Sequence, residues 1–205
     1  MEKKKVFLIG DSIRKGYDAY VQERLAPVAD VYFPDENCRF AQYTLRGISS
    51  WKDILPFDGK ALDVIHWNAG LWDVLRIYGD EPLTPVDVYA SFLVRIQKRI
   101  QLLFPNAVSV FAYSTPVRSI EYWPEPDVFF RCNDDIRQYN AAARTVLEPM
   151  GVRFDDLFAL LETAPDSYHS DATHFYTQEA TMCIGNAVTD SILSALHTDA
   201  SCLGK

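Results

Sequence analysis

A continuous apolar run, Lys5-Val-Phe-Leu-Ile9, follows a polar start, the pattern of a strand covered on both faces. Short runs of this kind then alternate with longer helical patterns. A helical stretch from about Ile13 to Leu25 precedes a second strand over Val28 to Phe33, and Ala61-Leu-Asp-Val-Ile-His-Trp67 is a third. Pro85 to Phe104 reads as a long amphipathic helix with Val88, Phe92, Ile96 and Ile100 on one stripe, stopped by Pro105-Asn106. Ala107 to Tyr113 is a fourth strand, and Asp134 to Pro149 a further helix closed by Gly151 in a C′ position. Val152-Arg-Phe154 is a short fifth strand, and Thr177 to Leu196 the closing helix. This alternation predicts an α/β fold, a parallel sheet of about five strands with right-handed crossovers and helices on both faces. No Ser/Gly/Pro-rich linker or repeat divides the chain, so residues 1–205 are expected to form one domain. Ligands of such sheets bind beyond the carboxyl ends of the strands. The segments starting at Gly10, Asn68 and Ser114, and the one after Phe154, are therefore where chemistry is to be sought.

Composition narrows the classes without choosing among them. The 205 residues are 48% hydrophobic and 23% charged, ordinary globular proportions, and enough chain to bury a core without staples. Disorder, collagen, coiled coil and a disulfide-stapled miniprotein are excluded. A net charge of −8 argues against nucleic acid or an anionic membrane as partner, since the one basic cluster, Lys3 to Lys5, is a solvated end. The apolar stretch after Lys5 stops at Gly10-Asp11, short of the about 7–15 residues of a secretory core. No run approaches the roughly 18 apolar residues of a membrane span. Cys38, Cys132, Cys183 and Cys202 stand far apart, with no metal-ligand spacing to histidine, and are expected to be reduced thiols. A cytoplasmic location follows as the expectation.

Two short segments carry candidate chemistry. Gly10-Asp11-Ser12-Ile13 stands at the end of the first strand, where a Ser hydroxyl is exposed and the next helix presents free amides. The competing role for Ser12 is that of a helix N-cap. Ser170-Asp171-Ala172-Thr173-His174-Phe175 precedes the last helix. A nucleophilic Ser needs a base and a carboxylate to orient that base, and Asp and His three apart in a turn can supply both. Asp166-Ser-Tyr-His169 has the same spacing, so spacing alone does not choose the histidine.

Taken in order, these segments resemble the SGNH (GDSL-type) hydrolase superfamily, esterases and lipases on a flavodoxin-like, doubly wound three-layer α/β/α fold. Arg46-Gly47-Ile48-Ser49 is similar to the second block of that family, and Asn68-Ala-Gly70-Leu-Trp72-Asp73 stands where the third should be. Gln138-Tyr-Asn140 and Asp155-Asp156-Leu157 resemble the run into the last strand and catalytic loop. The resemblance implies Ser12 as nucleophile, His174 as base and Asp171 as its orienter, with Thr177 capping the closing helix. It also implies an oxyanion hole from the Ser12 and Gly47 amides. The third block of the family is Gly-x-Asn-Asp, and here Trp72 replaces the Asn whose amide donates to the oxyanion; Asn68 is the nearest replacement. Asp11, Trp72, Asp73 and Thr173 are assigned to substrate binding.

The implied reaction is hydrolysis of a small-molecule carboxylic ester through an acyl-enzyme, with no cofactor and no metal. Tyr17, Trp51, Trp67 and Trp72 lie near the blocks, and residues 120–130 form an aromatic, Pro-broken stretch read as a lid or pocket wall. Aromatic faces suit a sugar, which makes an acetylated carbohydrate the leading substrate, although Trp67 lies within a strand and belongs to the core. The alternative is the same fold with impaired catalysis, binding a carbohydrate or a protein partner because Trp72 has replaced the Asn. A phosphate-binding reading is weaker, since Gly10-Asp-Ser-Ile-Arg-Lys-Gly16 lacks the glycine spacing of a phosphate loop.

Overall fold

Val6, Phe7, Leu8 and Ile9 are each at most 1% exposed, as an apolar run buried on both faces of a sheet must be. The computed structural model describes residues 2–202. In chain order its elements are β1 (Lys4–Ile9), α1 (Ser12–Leu25), β2 (Ala29–Tyr32), α2 (Ala41–Trp51), β3 (Val64–Trp67) and β4 (Arg76–Ile77). There follow α3 (Val86–Leu103), β5 (Val108–Ala112), β6 (Phe129–Phe130), α4 (Asn133–Leu147), β7 (Arg153–Asp155), α5 (Leu157–Glu162) and α6 (Gln178–Cys202).

Five strands form one parallel sheet in the order β2-β1-β3-β5-β7. Val6 lies opposite both Val31 and Val64, and Val64 opposite Val108, so β-branched side chains stack across the sheet. Helix α1 packs on α6 over one face, while α2, α3 and α4 pack in succession over the other, giving three α/β/α layers. From β1 the chain first winds outward to β2, then returns past β1 to β3 and continues to β7. That reversal puts the topological switch point at the carboxyl ends of β1 and β3.

The predicted strands and helices are present, with instructive differences. The strand expected from Ala61 starts only at Val64, because Gly59–Ala61 form a 3₁₀ turn. In the buried stripe of α3 Ile96 and Ile100 are as expected, while Tyr89 and Leu93 take the places of Val88 and Phe92, and Val88 is 40% exposed. Tyr89 is fixed there: its hydroxyl donates to Ala69 O at 2.8 Å, below the sheet edge. Helix α2 was not expected at all, nor were α5 and the small antiparallel β4–β6 pair. Gly151 has φ 77° at the end of the turn after α4, the left-handed geometry expected of it.

Trp67 is core, as expected: it is fully buried, and its indole N–H donates to Ser109 Oγ at 3.0 Å, which in turn donates to Gln97 Oε1 at 2.8 Å. The indole N–H, the Ser109 hydroxyl and the Gln97 carbonyl oxygen are all satisfied, which is what allows them inside. Cys38, Cys132 and Cys183 are free thiols, and the Cys202 side chain lies outside the described ones. Among the described residues no helix is long and apolar enough to cross a membrane.

Candidate active site

Asp11 caps α1. Its Oδ1 accepts from the Ile13 N–H at 2.9 Å, which relieves Ser12 of the capping role and leaves it at the first helical position. The Ser12 N–H, one of the free amides of the helix start, has no hydrogen-bond partner among the described residues. The turn fits closely on its neighbour, because a Cβ at Gly10 would stand 1.9 Å from Asn68 Oδ1. Asn68 follows β3, its N–H donating to Ile9 O at 3.0 Å.

The loop before α6 comes to this turn from the other end of the chain. His174 Nε2 lies 2.8 Å from Ser12 Oγ, and His174 Nδ1 lies 2.7 Å from Asp171 Oδ2. Asp171 Oδ1 accepts from the Thr173 and His174 N–H groups, both at 2.7 Å. Partial burial pushes the Asp171 carboxyl up, but the Thr173 amide and the His174 ring and amide outweigh it, and the carboxyl lies below its ordinary value. Asp171 is thus held ionised beside the imidazole. Ser170 N–H and Oγ both donate to His174 O, at 2.8 and 3.1 Å, closing the loop on itself. Thr177 Oγ1 accepts from the Ala180 N–H at 3.3 Å, the N-cap expected of it. His169 is elsewhere, its ring 4.1 Å from that of Phe175, and its partner in the rival motif, Asp166, pairs with Arg118.

Two residues at the site carried no recognised signal in the sequence. Tyr176 stacks on the His174 ring, centroids 4.7 Å apart and planes 19° apart, and its hydroxyl donates to Ser12 O at 2.9 Å. A side chain at Gly16 would strike the Tyr176 ring at 2.8 Å, so the glycine makes the room for it. Arg131 donates from Nε to Leu71 O and from Nη1 to Thr173 Oγ1, the latter at 3.4 Å. Arg131 lies outside every segment singled out in the sequence, and Tyr176, although it closely follows His174, belongs to no recognised motif.

Several expectations are corrected. Gly47 lies inside α2, where its N–H belongs to the helix's own ladder and is not available to a substrate. Its lack of a side chain has another cause, since a Cβ there would stand 2.4 Å from the Trp51 ring. The segment that does adjoin the Ser12 turn is the one before α2: Cys38 N–H donates to Gly10 O at 3.0 Å. Asp11 and Asp73, assigned to substrate binding, are both fully buried and engaged internally. Burial pushes the Asp11 carboxyl up, an effect the Asn68 side chain partly offsets. Asn68 is itself 5% exposed, its carboxamide set between Gly10 and Asp11. Both Asp73 oxygens accept from the Ala41 N–H, at 3.2 and 3.0 Å, anchoring the start of α2. Trp72 is half-buried beside it, and Thr173 is buried between Asp171 and Arg131. The remaining blocks are braces: Asn140 exchanges two hydrogen bonds with the Ser114 backbone, and Asp156 caps α5.

Asp73 provides a test by pH. Burial raises its carboxyl from an ordinary 3.8 to about 7, the Ala41 amide and Thr84 only partly opposing. The folded chain then holds a proton over a range in which the unfolded chain has lost it. Its contribution to stability is fullest below about pH 4, falls as pH rises towards about 7, and is level above that. Asp73→Asn keeps a side-chain oxygen for Ala41 and removes the titration. The loss of stability between about pH 4 and 7, read as the urea midpoint, is expected to shrink in that variant; an unchanged slope would place the titration elsewhere.

No protein-family model matches the chain, and no curated protein matches it by sequence. Solved structures do match by shape. A lipase/acylhydrolase from Enterococcus faecalis superposes with a TM-score of 0.72 at 18% identity, covering 92% of this chain and 95% of its own. An acetyl xylan esterase matches with a TM-score of 0.67 at 18% identity over 92% of this chain and 99% of its own. A member of the lipolytic G-D-S-L family from Veillonella parvula matches at 0.64 and 15% identity over 91% of this chain and 97% of its own. With its five-stranded parallel sheet between helical layers, the chain has the three-layer fold of the GDSL (SGNH) hydrolases.

Proposed function

We propose that this protein is a serine ester hydrolase acting through an acyl-enzyme on Ser12. The observation that carries this reading is the unbroken contact from Ser12 Oγ to His174 Nε2 and from His174 Nδ1 to Asp171, at 2.8 and 2.7 Å, beyond the carboxyl ends of the strands. His174 takes the Ser12 proton as Oγ attacks the ester carbonyl. Asp171 holds the Nδ1–H tautomer and stabilises the imidazolium that forms. The free Ser12 N–H faces the developing oxyanion. The alcohol leaves with the proton from His174, and water then releases the acid. Tyr17, Trp51 and Trp67 are buried, so of the aromatics near the blocks Trp72 is the one left partly exposed; a small acyl ester, with acetyl on a carbohydrate as the leading candidate, is the proposed substrate. The matches to lipases and to an acetyl xylan esterase support the same reaction class.

A second reading, a binding module with impaired catalysis, is favoured by one observation. Of the oxyanion donors expected, Gly47 is locked in α2, Trp72 stands for the Asn, and the Asn68 carboxamide is set against Asp11. Labelling with a fluorophosphonate separates the two readings. Wild-type protein and His169→Ala are expected to label, and Ser12→Ala and His174→Ala to fail. Wild-type protein that resists the probe would leave the binding module standing.

In this reading Tyr176 is a positioning residue. Its ring fixes the plane of the His174 imidazole and its hydroxyl ties the ring to the Ser12 turn. Tyr176→Leu is expected to lower kcat about tenfold with KM little changed, since a base even slightly out of line costs in this range. Tyr176→Phe, which keeps the stack, should restore most of the loss. Equal loss in both variants would give the role to the hydroxyl alone.

A further inference from the structure

Arg131 stands just after β6 and reaches across to both loops that flank Ser12. Its Nε donates to Leu71 O, next to Trp72, and its Nη1 to Thr173 Oγ1, next to His174. Both acceptors are neutral. Among the described residues Nη2 has no hydrogen-bond partner, and no carboxylate lies at ion-pair distance from the guanidinium. The acids whose fields reach it are Asp11 and Asp171. Asp11 is fully buried and turned to the Ile13 amide, while Asp171 is committed to His174 and two amides. Burial has pushed the guanidinium down to about 10, the mark of a cation that its surroundings do not fully compensate.

The other arginines nearby are provided for. Arg118 pairs with Asp166 and lies over the Tyr122 ring at 3.4 Å, and Arg137 pairs with Asp134 at 2.9 Å. Arg131 lines an open cleft of about 300 Å³ with Arg118, Ser119, Ile120, Asn133 and Asp134, whose carboxylate is paired with Arg137, so Arg131 borders both this cleft and the Ser12 loops. Arg131 itself lies over the Trp123 ring at 5.8 Å, but its hydrogen bonds go only to neutral oxygens; such a half-buried cation is short of an anion, and the planar fork of an arginine matches a carboxylate. The 3.4 Å bond to Thr173 is long enough to yield to one.

We propose that Arg131 binds a carboxylate carried on the alcohol part of the ester, and so sets the specificity of the site. The proposal rests on the serine-hydrolase reading and narrows it: the substrate is an anionic ester, in spite of the net negative charge of the chain. The brace between Leu71 and Thr173 orients the guanidinium, and Nη2 with Nη1 meets the two carboxylate oxygens.

The test uses isosteric esters, 3- and 4-acetoxybenzoate against 3- and 4-acetoxybenzamide, each kcat/KM divided by the alkaline hydrolysis rate of the same ester. Wild-type protein is expected to prefer a benzoate over its benzamide. Arg131→Met should lower that preference roughly 10- to 100-fold, mainly through KM, as loss of a hydrogen-bonded charge pair does. Arg131→Lys should keep part of it, and Arg131→Gln gives the same reading if Arg131→Met does not fold. The proposal is overturned if neither benzoate is preferred by the wild type, or if Arg131→Met lowers benzoate and benzamide equally, as a mere brace or an oxyanion donor would. Fluorophosphonate labelling keeps the two claims apart: protein that labels at Ser12 yet shows no preference sinks only the role of Arg131.

Discussion

Ser12→Ala is expected to lower kcat towards an activated aryl acetate by about a million-fold, and His174→Ala by about as much, because either change removes the whole nucleophilic route. Asp171→Asn should cost less, about ten-thousand-fold: Ser12 and His174 stay in place, but the ring loses the acceptor that holds its tautomer. The double variant Ser12→Ala with His174→Ala should be no worse than either single one, since the groups act as a unit. The geometry behind this is specific. Asp171 meets the ring through Oδ2 and the backbone through Oδ1, so Asn can satisfy one of these and not both. Steady-state rates on one aryl acetate check the series. Losses of only a few-fold at Ser12 would mean that the reaction does not pass through it.

Asp18→Ala is expected to destabilise the fold by about 3–5 kcal/mol, the cost of stranding a buried cation. In a chain of this size that lowers Tm by roughly 10 °C. Arg14 is fully buried on α1, bonded to Asp18 at 2.5 Å and to Glu36 O at 2.6 Å, with Phe33 against the guanidinium at 5.7 Å. Without Asp18 the charge keeps one neutral acceptor and cannot reach water. Arg14→Met combined with Asp18→Leu removes the charge as well, and most of the stability should return, less about 1 kcal/mol for the bond to Glu36. Urea unfolding of the two variants measures this. A single variant as stable as wild type would show that the pair contributes nothing. The bond to Glu36 also matters for the site, since it ties α1 to the segment whose Cys38 amide meets Gly10.

The site is assembled on loops while the elements under it carry the stability. Ser12, Asn68 and Ser114 each directly follow or stand close behind the end of a parallel strand, and side-chain braces hold the loops that close over them. Asn140 grips Ser114, Asn133 exchanges two 2.9 Å bonds with Val117, and Arg118 N–H donates to Ala172 O at 2.9 Å. The aromatic stretch, expected to form a lid or pocket wall, is flanked by these bonds and held at its end by the β4–β6 pair.

Much of this was legible in the chain, because much of it is local. The apolar runs from Val6 to Ile9 and from Val108 to Ala112 read as strands wherever they fold, and the order of strand and helix allowed few sheets besides this one. Gly10-Asp11-Ser12 and Asp171-x-x-His174 were visible as short motifs with chemistry of their own. Only the tertiary structure brings the two motifs together. Asp11 caps α1 through a local contact to Ile13, but the meeting of His174, and not His169, with the serine joins residues 162 positions apart, where no periodicity reaches. Gly47 shows the same limit from the other side. Its Arg-Gly-Ile-Ser setting implied an amide open to the site, but α2 is held by packing of Ala41, Leu45 and Ile48 and by Asp73 from a distant loop, and that outweighed the local cost of a helical glycine. Arg131 and Tyr176 had no pattern to betray them. A lone arginine or tyrosine in a polar segment looks like any other, and only the fold, by bringing one beside Thr173 and the other over His174, makes each a part of the site.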